Sequence, residues 1–301
     1  MRPIQFAPLL LVLACSPTRF ALNKMADSLS SDEGTSFSRD DDPELVRDAV
    51  PFALKTMEGL SDQLDDHVGL RLAMARGFTQ YGYAFVQQPA ELGAPPDQLN
   101  SALARARRLY LRARGYGLEG LKMKRGVLEA DLRGSSEEKR KAALASLQKE
   151  DVALIYWTLV PWAAAIAANK RDLELVGDVP TVAALLDRAL ELDEAYDAGS
   201  LHEFAITFDS ARPEGTTREK QDAHFKRAVE LSQGLKIAAL VTYAQAVLGP
   251  GQDKAGYEKN LKEAASYDVD QPKARRNRLA NVLAQRRAQY LLAHEDDVFS
   301  D

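Results

Sequence analysis

Apolar residues recur at spacings of three and four along nearly the whole chain after its first 42 residues, and this period constrains the fold most. One such stripe holds Leu70, Met74, Phe78, Tyr81 and Phe85. Residues at these spacings share one face of an α-helix. No segment shows the strict apolar–polar alternation of a half-buried strand, and segments rich in Gly and Pro separate the stripes. The sequence therefore predicts an all-α fold.

A short motif repeats along the helices: a large apolar residue stands three positions before an alanine. The motif occurs at 110–113, 186–189, 225–228 and 261–264. The alanines of the last three copies are 39 and 36 residues apart, and the first lies 76 residues, or two periods of 38, before the second. Paired helices with a period of this length are typical of tetratricopeptide repeats, in which each pair buries its apolar face against the next. We therefore expect one domain of divergent tetratricopeptide-like helical hairpins at 43–294, followed by an acidic tail at 295–301.

Three helix starts can be placed from capping patterns. Asp42 precedes Pro43, and proline is favoured at the first position of a helix. Ser200 stands three residues before Glu203, and Thr216 stands three residues before Glu219. Each of these two pairs fits the capping box, in which the two side chains bond reciprocally to backbone amides.

The N-terminus predicts export. Residues 1–14 combine a basic start with an apolar run of about ten residues, which is too short to span a membrane and fits a signal peptide. The run ends at Cys15, the single cysteine of the chain, in the sequence Val-Leu-Ala-Cys, which resembles a lipobox. We expect lipidation of Cys15, a tether and entry segment at 15–42, and anchoring on the periplasmic side of a bacterial membrane. Ser16 favours the outer membrane. An ordinary signal peptide with an incidental cysteine is the alternative.

The segment 152–168 is nearly all apolar. Its 17 residues would reach about 25 Å as a helix, at the lower limit for a membrane span, and Pro161 interrupts it. A central buried helix is the favoured interpretation.

Aromatic residues are concentrated in this segment and at 77–88, where glycines accompany them. They form the candidate ligand groove or pore: Phe78, Tyr81, Tyr83, Phe85, Tyr156, Trp157 and Trp162. Small residues beside aromatics indicate either close helix crossings or the wall of a cavity. The alternative is that these side chains form the ordinary core.

No catalytic, metal-binding or cofactor-binding constellation is found. Residues 115–120 fit G-x-G-x-x-G, but that motif binds dinucleotides only between a strand and a helix, and a helical basic segment precedes it here. We expect a helix end with flexible glycines. His202-Glu203 begins like a zinc-protease helix, but Ile206 stands where the second ligand would be. His67, His224 and His294 have no ligand spacing. We expect no metal, no cofactor and no enzymatic activity.

Two runs of arginine are the strongest local charges in a chain with a formal net charge of −5. They comprise Arg105, Arg107, Arg108, Arg112 and Arg114, and then Arg275, Arg276, Arg278, Arg286 and Arg287. A solvated face or ion pairs are the favoured interpretation, and a surface for a partner or an anionic ligand is the alternative. We expect no nucleic acid as partner.

Several ordered segments resemble one known family, which is the TatT family of tetratricopeptide lipoproteins associated with TRAP transporters. They are ALNKMAD at 21–27, DDDPELVRD at 40–48 with PFAL at 51–54, GFTQYGYAFV at 77–86, KEDV at 149–152 with YW at 156–157, RALELD at 188–193, LHEF at 201–204 and LAQRR at 283–287.

The resemblance implies a periplasmic, lipid-anchored, all-α protein that forms trimers and partners the periplasmic solute receptor of a TRAP-type transporter. It also implies a pore through each subunit, by which a small apolar or organic-acid ligand passes to or from the receptor. A general tetratricopeptide scaffold in envelope assembly is the alternative function.

Overall fold

The computed structural model describes residues 17–30, 36–134, 136–212 and 215–299. The predicted signal peptide at 1–14 and the predicted lipidation site Cys15 lie outside these residues. Within them every regular element is helical and no strand occurs, and the helices pack in pairs as a single domain. The predicted all-α hairpin array is confirmed.

Fifteen α-helices and two π-helices run through the described residues. The α-helices are α1 Pro17–Ser30, α2 Pro43–Ser61, α3 Val68–Tyr81, α4 Gln88–Glu91, α5 Pro96–Arg125, α6 Glu129–Leu132, α7 Glu137–Ser146, α8 Val152–Ala167, α9 Leu173–Val176, α10 Val179–Asp193, α11 Ser200–Ala211, α12 Arg218–Ser232, α13 Ala238–Tyr243, α14 Lys254–Ala265 and α15 Arg278–Ala293. The π-helices are π1 Gly82–Gln87, after α3, and π2 Ala244–Leu248, after α13. Short 3-10 helices occupy Phe37–Arg39, Lys149–Asp151, Tyr196–Gly199, Pro272–Asn277 and Glu295–Asp297.

The repeated alanine motif marks where helices pack. Its alanines lie in α5, α10, α12 and α14, and all four are buried. The small side chain lets a neighbouring helix come close, so the period seen in the sequence corresponds to a period of packing.

Of the three predicted helix starts, the first is confirmed. The Asp42 carboxylate accepts a hydrogen bond of 2.9 Å from the Leu45 amide at the start of α2. The capping box at Ser200 is wrong, because Gly199 is the cap residue, with a φ of 92°, and the Ser200 hydroxyl instead donates to Asp197. The start of α12 shifts by one residue, since Thr217 is its cap.

The glycines of the G-x-G-x-x-G segment lie inside a continuous 30-residue helix, and the predicted helix end is wrong. Gly117 and Gly120 mark the crossing of α5 with α8. A Cβ on Gly117 would lie 3.0 Å from the Thr158 Cα, and one on Gly120 would lie 2.6 Å from a Leu154 methyl carbon. These glycines are therefore required by the short distance between the two helices.

The central helix α8 is a core element. The segment Lys149–Ala167 is long and apolar enough to cross a membrane by length and composition, but 56% of it is buried inside the fold. Ile155, Leu159 and Trp162 have no exposed surface. Because α8 packs against α5 on one side and α10 on the other, its apolar character is explained by its place in the core.

The helical array closes on itself. The 3-10 helix Phe37–Arg39 and the start of α2 pack against α15. Two ion pairs join these ends of the fold: Arg278 with Asp41 at 2.8 Å, and Arg286 with Glu44 at 2.5 Å. The helices therefore surround an interior rather than stacking in an open row.

Residues on both sides of 43–294 also pack against the helices of the domain. Helix α1 lies in the predicted tether, yet it packs on α3 and buries Ala26 completely. At the other end, Phe299 of the predicted acidic tail packs edge-on against Tyr257, with ring centroids 5.1 Å apart. Both segments contain apolar side chains that pack against the fold, although the neighbouring residues in the sequence are polar.

Helix α11 joins two core clusters. Its residues Leu201, Ala205 and Phe208 belong to the large central cluster built on α5, α8 and α10. Ile206 of the same helix belongs to the C-terminal cluster built on α13, α14 and α15. Opposite faces of α11 are thus buried in different parts of the core.

Candidate functional site

Two π-helices lie in similar sequence surroundings. Tyr81-Gly-Tyr83-Ala leads into π1, and Tyr243-Ala-Gln245-Ala leads into π2. Each ends with a hydrogen bond between residues five apart, from the Gln88 amide to the Tyr83 carbonyl and from the Gly249 amide to the Ala244 carbonyl at 2.9 Å. Such single-turn π segments occur frequently at functional sites, because the wider turn redirects the following side chains.

A chain of hydrogen bonds connects the two π-helices. The Tyr110 hydroxyl donates to the Gln87 side chain at 2.7 Å, and the Gln87 amide donates to Glu91 at 2.7 Å. Arg287 donates to Glu91 at 2.9 Å and to Gln245 at 2.6 Å. We call these five residues the polar chain. It joins π1 and α4 to π2 through α15.

Beside the polar chain, Tyr83 and Tyr156 both lie near Glu203, and we call the space that these three residues border the inner recess. The side chain of Tyr83 is 44% exposed, and those of Tyr156 and Glu203 are partly exposed. Burial by the surrounding protein nevertheless raises the pKa of all three groups. These three groups thus have protein atoms on most sides and still keep contact with solvent, as expected at a concave surface.

The electrostatics of the inner recess centre on Glu203. Burial raises the pKa of its carboxyl group, and the nearby Asp197 carboxylate raises it further, while Lys236 opposes both effects. The Glu203 carboxylate in turn raises the pKa of the Tyr83 and Tyr156 hydroxyls. Glu203 of α11 is therefore close enough to influence both Tyr83 of π1 and Tyr156 of α8.

A second depression, the outer cleft, lies on the other side of π1. It has a volume of about 200 Å³ and is mainly apolar, with Ala84, Phe85 and Leu283 in its wall. The ion pair between Glu44 and Arg286 also lines it. π1 thus separates the outer cleft from the inner recess.

The predicted groove residues do not form one surface. Tyr83 and Tyr156 face the inner recess, and Trp157 packs edge-on against Tyr156 with ring centroids 4.9 Å apart. Phe85 lines the outer cleft, and Tyr81 packs against Phe85 at 5.8 Å.

Two of the predicted residues lie in the core. Phe78 is buried and stacks with Tyr116, with ring centroids 5.9 Å apart. Trp162 has no exposed surface, and its indole N–H donates to Asp178 at 3.0 Å. Neither side chain lines an open space in this structure.

Glu203 and Arg287 do not stand out as site residues in the sequence. Glu203 fits the pattern of a capping box there, and Arg287 belongs to a run of arginine. Glu203 and Arg287 lie near Tyr83 because the two ends of the helical array pack together, which brings α11 and α15 to the same side of π1. Helical spacing in the sequence does not predict such a long-range contact.

The structure also brings two histidines together. The Nδ1 atoms of His202 and His224 are 2.9 Å apart, so one ring donates to the other. Burial lowers the pKa of both imidazoles. Among the described residues no group of three or more His, Cys, Asp or Glu side chains has a geometry that could hold a metal ion. The pair is therefore a hydrogen-bonded contact between α11 and α12.

Several arginines of the two runs form ion pairs in the described structure. The pairs include Arg107 with Asp172, Arg112 with Glu58, Arg114 with Glu129, Arg278 with Asp41, Arg286 with Glu44 and Arg287 with Glu91.

Comparisons with known proteins place the chain in one family. The sequence model described as TRAP transporter T-component matches residues 39–299. An uncharacterized protein of Treponema pallidum (strain Nichols) is 30% identical over 314 aligned positions, which cover 98% of this chain and 96% of the relative. The match includes the helices that carry the inner recess, the outer cleft and the polar chain.

Proposed function

This chain belongs to the TRAP transporter T-component family, and we propose that it is the periplasmic, lipid-anchored binding component of a TRAP-type uptake system. In this role it associates with the extracytoplasmic solute receptor and holds a small organic ligand that passes to or from that receptor. The family is one of transporter accessory proteins and not of enzymes.

The inner recess is the observation that carries the ligand-binding part of this proposal. A tetratricopeptide scaffold for envelope assembly would need no such space, and the Tyr83 region would be packed solid. Tyr83 is instead 44% exposed while protein surrounds it. Pockets that combine aromatic walls with a few polar groups are the usual form of a small-molecule site.

The place of the recess is suited to transfer between two proteins. It is separated from the outer cleft only by π1, and the cleft opens at the joint between α2 and α15. A receptor seated over the outer cleft would thus lie one helix away from a ligand in the inner recess.

We further propose that acyl chains on Cys15 hold the domain at the membrane, most favourably the outer membrane, and that the protein acts as a homotrimer. Acyl anchoring keeps a binding domain where a soluble receptor can reach it, and more than one chain makes such anchoring stable.

Affinity purification of the tagged full-length protein, after crosslinking in intact cells of its native host, tests the association. We expect a TRAP-type solute receptor among the crosslinked partners. Recovery of envelope-assembly proteins without any solute receptor would contradict the proposal and favour the scaffold function.

The Cys15→Ser variant tests the anchor separately. The variant should leave the membrane fraction and still crosslink to the receptor, since the binding domain is unchanged. A variant that stays in the membrane fraction would contradict lipid anchoring without affecting the receptor hypothesis. Native mass spectrometry of the same preparations measures the trimer and any retained ligand.

A further inference from the structure

The inner recess contains a carboxyl group with no partner. In the described part of the chain, no hydrogen bond or ion pair joins Glu203 to another residue. The neighbouring acids are different, because Glu91 is paired with Arg287 at 2.9 Å and Asp197 with Lys236 at 2.6 Å. Glu203 is thus the acidic group of the recess whose bonding capacity is unused.

The cations near the recess are already engaged. Arg287 donates to both Glu91 and Gln245, and Lys236 donates to both Asp197 and Ser200. An anionic ligand would therefore find no free positive charge among these groups. It would also meet the Glu203 carboxylate, and like charges in a desolvated site repel strongly.

Two tyrosines, Tyr83 and Tyr156, lie near this carboxyl group. Tyr83 is 44% exposed, and Tyr156 contacts the rings of Trp157 and Tyr196 at centroid distances of 4.9 and 5.4 Å. The faces of tyrosine and tryptophan rings attract cations, and recognition of ammonium ligands commonly uses several such rings. Aromatic faces around an unpaired carboxylate form an environment suited to an organic cation.

We propose that the inner recess binds a small organic cation, whose ammonium group pairs with Glu203 and whose body packs against Tyr83 and Tyr156. The cation would supply the partner that this carboxylate lacks, which offsets the cost of keeping the charge away from bulk water. The proposal deepens the ligand-binding part of the proposed function and specifies its ligand class. It differs from the organic acid that the family resemblance implied.

Isothermal titration calorimetry on the full-length protein in a neutral maltoside detergent tests the proposal with three probes of similar size. Benzyltrimethylammonium carries a positive charge, phenylacetate a negative charge, and benzyl alcohol none. We expect the ammonium to bind at least tenfold more tightly than phenylacetate. Equal or tighter binding of phenylacetate would overturn the proposal.

The Glu203→Gln variant keeps the shape of the side chain and removes its charge. It should weaken benzyltrimethylammonium binding by about tenfold to a hundredfold, the range for a hydrogen-bonded charged group. Binding of benzyl alcohol should be unchanged. An unaltered ammonium affinity in this variant would refute the role of Glu203.

Two further variants keep the test decisive. Glu219→Gln removes a carboxylate from the exposed face of α12 and should leave all three affinities unchanged. Tyr83→Leu removes one aromatic face while Glu203 remains, and it should weaken ammonium binding about threefold to tenfold. This second variant decides the question if Glu203→Gln does not fold. Receptor crosslinking is measured independently, so its failure would leave the ammonium result standing.

Discussion

Arg286 and Arg287 are neighbours in α15, yet they bind carboxylates on opposite sides of π1. Arg286 pairs with Glu44 in the wall of the outer cleft, and its side chain is 47% exposed. Arg287 pairs with Glu91 beside the inner recess and is only 13% exposed. Side chains of adjacent helical residues point about 100° apart. The single helix α15 therefore contributes one arginine to the outer cleft and the next one to the side of the inner recess.

Replacing Arg287 should destabilise the fold much more than replacing Arg286. Arg287→Met removes the donor to Glu91 and Gln245 and leaves the partly buried Glu91 carboxylate without its cation. We expect a loss of about 1.5 to 3 kcal/mol in the free energy of unfolding. Arg286→Met is the matched control and should cost less than about 1 kcal/mol, since its ion pair is exposed. Urea denaturation measures both, and equal losses would contradict the assigned positions.

The crossing of α5 and α8 depends on Gly117. Gly117→Ala would place a methyl group 3.0 Å from the Thr158 Cα, a contact with backbone that cannot move aside easily. Overpacking of this kind costs about 1 to 3 kcal/mol.

Gly115 lies in the same helix, and its replacement by alanine should stabilise the protein where that of Gly117 destabilises it. A Cβ on Gly115 would have no neighbour within 4 Å. Gly115→Ala should therefore raise the unfolding free energy by up to about 1 kcal/mol through helix propensity. If both alanine variants shift the midpoint of chemical denaturation in the same direction, the close crossing at Gly117 is disproved.

The two tryptophans of α8 should respond differently to the same substitution. Trp162→Phe removes the N–H that donates to Asp178 and leaves that buried carboxylate short of a partner. We expect a loss of about 1 to 3 kcal/mol in unfolding free energy. Trp157→Phe removes no hydrogen bond of the described structure and should change stability by less than about 1 kcal/mol. Thermal unfolding followed by circular dichroism compares them, and a smaller loss at Trp162 would be the contrary outcome.

Stability should fall in mild acid because of His202 and His224. Burial lowers the pKa of both imidazoles below the ordinary value of 6.5, and the charge of His202 lowers the pKa of His224 further. The unfolded chain therefore takes up protons first as the pH falls through about 6.5. Since protons then bind more to the unfolded state, the free energy of unfolding decreases below that pH.

The charges facing this pair modify the effect without reversing it. They are Glu194 and Arg227 beside His202, and Asp209 and Lys220 beside His224. His224→Asn should flatten the decline in melting temperature between pH 7.5 and about 5.5. His294→Asn, at the exposed position that follows α15, should keep the full decline. A decline that persists unchanged in His224→Asn would show that other groups cause it.

The sequence was sufficient to predict the helices because their pattern is local. The alanines at 113, 189, 228 and 264 mark packing points that a 3.6-residue period already indicates. The same reasoning misplaced the glycines at 115–120, because a helical glycine at a crossing and a glycine at a helix end look alike in sequence. The distance from Gly117 to Thr158 depends on how two helices pack, and local propensity does not specify it.

The site was predicted only in part for a related reason. Tyr83 and Tyr156 were included as aromatics, but Phe78 and Trp162 were chosen on the same grounds and lie in the core. Glu203 acquires its setting from residues on other helices, more than 100 positions away along the chain in the case of Tyr83. The π-helices also escaped prediction, since the segments that form them have ordinary helical spacing.

Helix α11 has a consequence for cooperativity. Because its opposite faces are buried in the central and the C-terminal clusters, neither cluster can unfold fully without disturbing this helix. Glu203 lies on the same helix. A ligand bound at Glu203 would stabilise α11 and slow the hydrogen exchange of backbone amides in both the central and the C-terminal cluster. Binding at one site would therefore be measurable in most of the molecule.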